Sequence, residues 1–190
     1  MTGRVLADEP FQHPVVDEVL RFQGAKWSVW SETVDIGGQV VVRDVLRHPG
    51  AVAVAAVDDQ DRVLLIRQYR HPVAAYLWEI PAGLLDQADE DPLDCAKREL
   101  LEEAGVTATD WSPLLQLALS PGGTSERIAI YRATGLVVDP LSRPHTGEAE
   151  ELELPQLWVE LDEAVQACRS GAITNATAVA AILALAAARG

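Results

Sequence analysis

The chain has 190 residues and a formal net charge of −14, because 15 Lys and Arg residues face 29 Asp and Glu residues. Its hydrophobic fraction of 48% and charged fraction of 23% indicate a globular chain, and its length suits one domain with at most a small appended element. The acidic balance disfavours a nucleic-acid-binding surface, since such surfaces displace counterions with clustered basic side chains.

The first 14 residues contain proline and no hydrophobic periodicity, so we expect a flexible N-terminus. The opening "MTGRVLADEP" has no apolar core of signal-peptide length and gives no indication of export. Two cysteines, Cys95 and Cys168, are too few for a disulfide framework. We therefore expect a reduced, cytoplasmic setting.

Residues 15–49 are predicted to form a small β element. The segment "KWSVWSETVDIGGQVVVRDVLRH" contains two β-rich runs joined at "DIGGQ", where Gly37 and Gly38 can supply the positive φ angles of a tight hairpin turn. Hairpins of this size bury too little surface to be stable alone, which favours a homodimer.

Residues 50–190 are predicted to form the main domain. "AVAVAAVDDQDRVLLIRQYRH" indicates a second pair of strands turning at residues 58–61, and "LWEIPAGLLD" a strand leading into a loop with Pro81 and Gly83. "WSPLLQLALS", "RIAIYRATGLVV" and "LELPQLWVEL" also read as strands, and helices are expected at residues 162–169 and about 175–188. The charge-free tail favours a buried helix over a membrane span. The fold class is α+β, a mixed sheet with helices at its faces.

One helix has clear start and stop signals. Asp91 suits the N-cap position, Pro92 the first helical position, and Asp94 lies three residues after the cap. Gly105 suits the C′ position, where a left-handed conformation ends a helix. These signals predict a helix across "CAKRELLEEAGV".

Three glutamates cluster on this helix. At 100° per residue, Glu103 lies at about +40° and Glu102 at about −60° from Glu99, with Cys95 between them and Arg98 at the border. The apolar face beside this strip consists of Leu93, Ala96, Leu100 and Ala104. Two interpretations are open: a solvated acidic face, or a site for Mg²⁺ or Mn²⁺, which prefer carboxylate oxygens.

The segment "GLLDQADEDPLDCAKRELLEEAGV" resembles the Nudix box, a glycine–loop–helix signature of enzymes that cleave nucleoside diphosphates linked to another group. One departure is the loop length: six residues separate Gly83 from Glu90, where the family has five. Asp89 would satisfy the shorter spacing, but Glu90 keeps the helical spacing to Arg98, so we assign Glu90 to the box.

The resemblance implies the Nudix fold, a mixed β-sheet sandwiched between helices, and it implies roles for the box. Glu99 and Glu103 are the expected inner metal ligands, with Glu102 also near the metal. Arg98 is expected to orient the glutamates, and the backbone carbonyl of Ala82 to supply one more ligand.

The loop "LSPGGTSE" places Pro121 fifteen residues after Val106, an offset that resembles the ADP-ribose pyrophosphatase subgroup. That resemblance implies a homodimer formed by exchange of the N-terminal element, and hydrolysis of ADP-ribose to AMP and ribose 5-phosphate. We expect Pro121 and Gly122 in this loop, and Glu79 in "LWEIPAG", to contact the substrate.

Further substrate contacts are predicted on the strands. Arg43 and Arg70 are candidates for binding the pyrophosphate, because a guanidinium matches phosphate oxygens; the alternative for each is a surface salt bridge. Trp27 occupies a position resembling that of an adenine-stacking aromatic from the other subunit, with core packing as its alternative. For Trp30 we expect core packing.

The catalytic base is expected in the segment "HTGEAEELE". We favour Glu151, then Glu150, because either directly precedes the predicted strand; Glu148 and Glu153 remain open. Cys95 is predicted to be a small filler residue, and His71 and His145 surface residues. Two other functions stay open: hydrolysis of another sugar nucleotide such as GDP-mannose, and a Nudix domain that senses a ligand without catalysis.

Overall fold

The computed structural model describes residues 6–139 and 154–189. Its backbone divides into two compact units: Met1–His48 together with Ser120–Ser125, and Pro49–Leu119 together with Glu126–Gly190. Residues 6–14 are without helix or strand.

The first unit is an antiparallel sheet of three strands in the order β1, β2, β3. These strands are β1 (Val15–Gln23), β2 (Ser28–Ile36) and β3 (Gln39–Arg47). The predicted hairpin turn is confirmed, with φ of 62° at Gly37 and 89° at Gly38. Residues 120–125 form a turn hydrogen-bonded to the end of β3, since Leu46 and Gly123 share an N–H···O bond of 2.9 Å.

The second unit contains seven strands and three helices within the described residues. The strands are β4 (Ala51–Ala56), β5 (Arg62–Arg70), β6 (Ala75–Glu79), β7 (Ala82–Leu84), β8 (Val106–Ala118), β9 (Arg127–Val138) and β10 (Gln156–Glu160). The helices are α1 (Pro92–Ala104), α2 (Leu161–Ser170) and α3 (Ala176–Ala187). One sheet has the order β7-β4-β9-β8 and the other β10-β5-β6. Among these described strands, only β4 and β9 pair in parallel, so the first of these sheets is mixed.

Strand β4 is the centre of the core. Its sequence AVAVAA is buried throughout, and alternate side chains point to opposite sides because a strand has a two-residue period. Val52 and Val54 pack with Ala96 and Leu100 of α1. On the opposite side, the odd-numbered alanines of β4 pack with α3 residues. The mixed sheet sandwiched between helices, predicted from the resemblance, is confirmed.

Two details of the predicted strands are wrong. The strands β4 and β5 flank a turn at residues 58–61 but do not pair along their lengths; a single bridge, Val57 to Val63, joins them, and they belong to different sheets. Gly83 lies in strand β7 rather than in a loop, because residues Ala82–Leu84 pair with the edge of β4. Strand partners are chosen by tertiary packing, which a local pattern does not specify.

Helix α1 has the predicted caps. The Asp91 side chain accepts a bond of 2.8 Å from the Leu93 N–H, and Gly105 adopts φ 65° at the C-terminal end. Helix α3 buries residues of the charge-free tail, Ile182 among them. Within residues 6–139 and 154–189, no helix is both long and apolar enough to span a bilayer.

Candidate active site

The site is built where strand β7 passes over helix α1. Ala82 of β7 pairs with Ala53 of β4, so the strand is held in place by the core sheet. The N–H of Ala82 donates to Oε2 of Glu103 at 2.8 Å. Glu103 is 6% exposed, which excludes a solvated acidic face for this residue. The Ala82 backbone and the Glu103 carboxylate therefore adjoin, as the proposed ligand set requires.

Gly83 allows the strand to approach the helix closely. A Cβ atom at this position would overlap Cδ and Oε1 of Glu99 and come within 2.5 Å of its Cγ. Only glycine leaves room for the Glu99 side chain as it stands, because real Cβ contacts are longer. The glycine of the box therefore has a steric reason in this chain.

Arg98 connects four carboxylate oxygens. Its Nε and Nη2 donate to the two oxygens of Glu90 at 2.8 and 2.9 Å, and its Nη1 donates to Glu99 at 2.6 Å and to Glu102 at 3.0 Å. The hydrogen bonds with Glu90 raise the pKa of Arg98 further, so that it remains protonated. The hydrogen bond from Arg98 holds the pKa of Glu90 below its ordinary value. Bidentate pairing of this kind fixes orientation as well as charge.

The loop between Gly83 and Glu90 accommodates its extra residue through a turn at Asp89. Its φ is 62°, a left-handed conformation that L residues adopt rarely, though aspartate more readily than most. This local turn leaves Glu90 in reach of Arg98. Glu90, rather than Asp89, is thus the acidic partner of the box arginine.

The cluster has the donor chemistry of a divalent-cation site. The carboxylates of Glu90, Glu99 and Glu102 bind the guanidinium of Arg98, and Glu103, which accepts from the Ala82 N–H, follows Glu99 by one turn on α1, so acidic side chains outnumber the arginine in this cluster. Carboxylate and carbonyl oxygens are the ligands that Mg²⁺ and Mn²⁺ prefer. In the described part of the chain, no three acidic, histidine or cysteine side chains already converge on one cation position.

The NUDIX domain family matches residues 46–181, most of the chain. The chain belongs to the Nudix family. A protein named ADP-ribose pyrophosphatase from Mycobacterium tuberculosis (strain ATCC 25618 / H37Rv) is 42% identical over 149 residues, which cover 78% of this chain and 70% of that protein. A protein named Methanol dehydrogenase activator from Bacillus methanolicus is 34% identical over 173 residues, covering 90% of this chain and 91% of that one.

A solved structure described as "Crystal structure of ADP compounds hydrolase" superposes with a TM-score of 0.78 at 23% identity, covering 95% of this chain and 96% of that one. At this identity the likeness shows the fold. The resemblance to the Nudix family and its ADP-ribose pyrophosphatase subgroup, predicted from the box and the proline offset, is confirmed.

Cys95 lies at the edge of the acidic strip, as predicted, with Arg98 Nη2 donating to its Sγ at 3.3 Å, and it also belongs to the core of the Nudix unit. Its side chain is fully buried among Val52, Leu100 and their neighbours. Burial, and then the nearby Glu90 carboxylate, raise the pKa of its thiol to about 12. The predicted role as a small filler residue fits this position, since a neutral buried thiol is inert.

Arg70 and Glu79, both predicted to contact substrate, bind each other. Arg70 Nε and Nη2 donate to the two Glu79 oxygens at 2.9 and 2.6 Å, across the pair of strands β5 and β6. The Glu79 side chain is 4% exposed and that of Arg70 is 42% exposed. The salt bridge that was the alternative for Arg70 is present, and the Arg70 side chain remains partly exposed.

The other predicted substrate residues lie in the three-stranded unit. Trp27 is 40% exposed and packs beside Phe22, with ring centroids 5.8 Å apart, and Arg43 is exposed and donates to the Val42 carbonyl at 3.0 Å. Trp30 is half-buried beneath the guanidinium of Arg47. The remaining two, Pro121 and Gly122, belong to the turn at residues 120–125. Their roles remain predictions.

The C-terminal end of α1 carries contacts that the sequence does not reveal. The Asp139 N–H donates to the Gly105 carbonyl at 2.9 Å. The side-chain amide of Gln156 donates to the carbonyls of Ala104 and Glu103 at 3.1 and 3.3 Å. No motif marks Gln156, because its partners are backbone atoms about fifty residues away. The candidate bases, Glu150 and Glu151 with the alternatives Glu148 and Glu153, and also His145, lie outside the described residues.

Proposed function

We propose that this Nudix protein hydrolyses the pyrophosphate of ADP-ribose to AMP and ribose 5-phosphate with Mg²⁺ or Mn²⁺ as cofactor. The observation that carries the proposal is the hydrogen-bonded glutamate cluster of α1. Arg98 donates to Glu90, Glu99 and Glu102, and the Ala82 N–H donates to Glu103. The relative of 42% identity that is named ADP-ribose pyrophosphatase supports the substrate.

The proposed metal ligands are Glu99, Glu103, Glu102 and the carbonyl oxygen of Ala82. A divalent cation bound there would supply positive charge against the pyrophosphate oxygens and acidify a water molecule. Arg98 has two roles in this arrangement. It reduces repulsion among the glutamates and sets the rotamers of those it contacts, so that the carboxylates are ordered before any substrate binds.

We assign the acceptance of the water proton to Glu151, with Glu150 as the alternative. Both stems of the segment that contains them are tied to the end of α1, through Asp139 on one side and Gln156 on the other. The described residues on either side of this segment thus lie at the helix end that carries Glu103, which supports the assignment. In Glu150→Gln and Glu151→Gln, kcat should fall more than about tenfold for the true base, in keeping with general-base contributions. If neither falls, the assignment is wrong.

The substrate contacts are proposed as follows. Arg70, oriented by Glu79, binds pyrophosphate oxygens through its guanidinium. Arg43 adds a second guanidinium and Trp27 stacks on the adenine, for which its exposed ring is suited. Proposed contacts from the neighbouring turn are those of Pro121 and Gly122.

We propose a homodimer formed through the three-stranded unit. Val19, Phe22, Val40 and Val42 are exposed, and strand register places them on one face of its sheet. Exposed apolar side chains grouped in this way are typical of an interaction surface. Sedimentation as a monomer at micromolar concentration would overturn the dimer. We also propose a cytoplasmic location, on the low cysteine content.

The test is a product assay on ADP-ribose, GDP-mannose, NADH and ADP-glucose, each with Mg²⁺ and with EDTA. Metal-dependent release of AMP and ribose 5-phosphate, fastest from ADP-ribose, is the expected result. Faster hydrolysis of GDP-mannose would leave the proposed chemistry of the site in place but would change the assigned substrate. Absence of turnover with all four substrates would instead favour a ligand sensor.

A further inference from the structure

Gln156, the first residue of strand β10, bridges two elements of the Nudix unit. Its backbone is in register with Ile66 of β5, and the preceding Pro155 carbonyl accepts from the Arg67 N–H at 2.9 Å. Its side-chain amide reaches the opposite way and donates to two successive carbonyls of α1, those of Glu103 and Ala104. The amide has two N–H groups, so a single nitrogen can serve both acceptors.

A hydrogen-bond donor is especially stabilising at the C-terminal end of α1. The last carbonyls of a helix have no partner within the helix, and its C-terminus carries a partial negative charge. Basic side chains often compensate this charge, but the last turn of α1 has none and instead contains Glu102 and Glu103. Gly105 N–H bonds the carbonyls of Leu100 and Leu101, one turn earlier.

Glu103 is consequently held at two points. Its carboxylate accepts from the Ala82 N–H of β7, and its carbonyl accepts from Gln156 of β10. A shift of the last turn would move the carboxylate away from β7, because side chain and carbonyl belong to the same residue. The bond to Gln156 opposes that shift.

We propose that Gln156 is a positioning residue. By donating to the carbonyls at the end of α1, it fixes the position of the last helical turn and thereby the position of the Glu103 carboxylate in the metal site. This inference rests on the proposed function, in which Glu103 is a metal ligand. Gln156 acts through Glu103 and touches neither metal nor substrate in this scheme. Its removal should therefore weaken metal binding and lower kcat while leaving KM nearly unchanged.

The experiment compares Gln156→Met, which keeps the length but removes the donor, with Gln156→Lys, which restores a donor and suits a helix C-terminus. Gln156→Asn has a side chain one methylene shorter, so its amide should not reach the carbonyls of α1. It serves as a second variant without this hydrogen bond in case the Met variant does not fold. Gln116→Met is the matched control, because Gln116 is also an exposed strand glutamine. Mn²⁺ affinity is measured by titration without substrate, beside kcat, KM and Tm.

We expect the Met and Asn variants to bind Mn²⁺ about threefold to tenfold more weakly and to lose about tenfold in kcat, with KM within about twofold, since small misplacements of a ligand are costly. The Lys variant should recover at least half of kcat. Unchanged Mn²⁺ affinity and kcat in the loss variants would overturn the proposal, as would a Lys variant as impaired as the Met variant. If the wild-type protein binds Mn²⁺ but hydrolyses no ADP-ribose, the proposed function fails, and the titration alone still decides on Gln156.

Discussion

Replacing Gly83 with alanine should lower activity strongly while leaving the free energy of unfolding nearly unchanged. The new Cβ would lie 2.5 Å from Cγ of Glu99 and overlap its carboxylate. Ordinary contacts between carbon atoms are about 3.5 Å or longer, so the Glu99 side chain must move by about 1 Å or more. That movement breaks its 2.6 Å bond to Arg98. A displacement of this size at a metal ligand should lower kcat by about 10²-fold.

The same change should have little effect on the free energy of unfolding. The atoms that the Cβ meets belong to a flexible side chain, and Gly83 is absent from the positive-φ residues, so alanine can adopt its backbone conformation. Gly→Ala at a compatible position stabilises by about 0.4–1 kcal/mol, which offsets part of the loss of the Arg98–Glu99 ion pair, whose side chains are 25% and 13% exposed. We expect Tm to change by no more than a few degrees.

The assay is steady-state hydrolysis of ADP-ribose across a Mg²⁺ series, beside thermal unfolding. Gly123→Ala is the matched control, because a Cβ there would meet no atom within 4 Å and its φ is not positive. Activity of Gly83→Ala within threefold of wild type would refute the steric account of the box glycine. A large fall in Tm would show that the crowding is relieved by the backbone instead of Glu99.

Three further predictions concern the surrounding groups. In Arg70→Ala, Glu79 is left as a buried carboxylate without its bidentate partner, so the free energy of unfolding should fall by about 2 kcal/mol, and Glu79→Gln in that background should restore part of it, as read from urea denaturation. Cys95, with a thiol pKa raised to about 12, should resist alkylation at pH 8 in the native protein and react in urea, as peptide mapping would reveal; rapid native labelling would contradict its burial. The pKa of Glu90 is lowered in the folded state by Arg98, so its stabilising contribution is present above the unfolded pKa of about 4.3 and is lost as the pH falls through the folded value. The difference in Tm between wild type and Glu90→Gln should therefore be largest near neutral pH and disappear in acid.

Local sequence signals agree with the structure. Asp91, Pro92 and Gly105 specify the ends of α1 because caps act within one turn of the helix. The diglycine turn of the β element is equally local, since positive φ is a property of single residues. The spacing that assigned Glu90 to the box also survives, because helical register tolerates less variation than the loop before it.

Local patterns are less informative where a residue's partner is distant. The two strands around residues 58–61 read as a hairpin, yet each pairs with other strands, since partner choice depends on which edges the whole sheet leaves open. Cys95 falls beside the glutamates on a helical wheel and its thiol does contact Arg98, but the wheel does not show that the core around β4 buries this thiol completely. A wheel describes angles around one axis and contains no information on what packs against it.

The amino-acid sequence by itself determined the family, the caps of α1 and the gathering of Glu99, Glu102 and Glu103 on one helix, because these follow from spacing along a single element. Tertiary structure decided how the cluster is held. The approach of Gly83 to Glu99, the bond from Ala82 to Glu103, the pairing of Arg70 with Glu79 and the bonds from Gln156 to the helix end join different secondary-structure elements, nine to more than fifty residues apart. Such contacts depend on the packing of β7, β6 and β10 around one core, and that packing is set by the burial of many side chains at once.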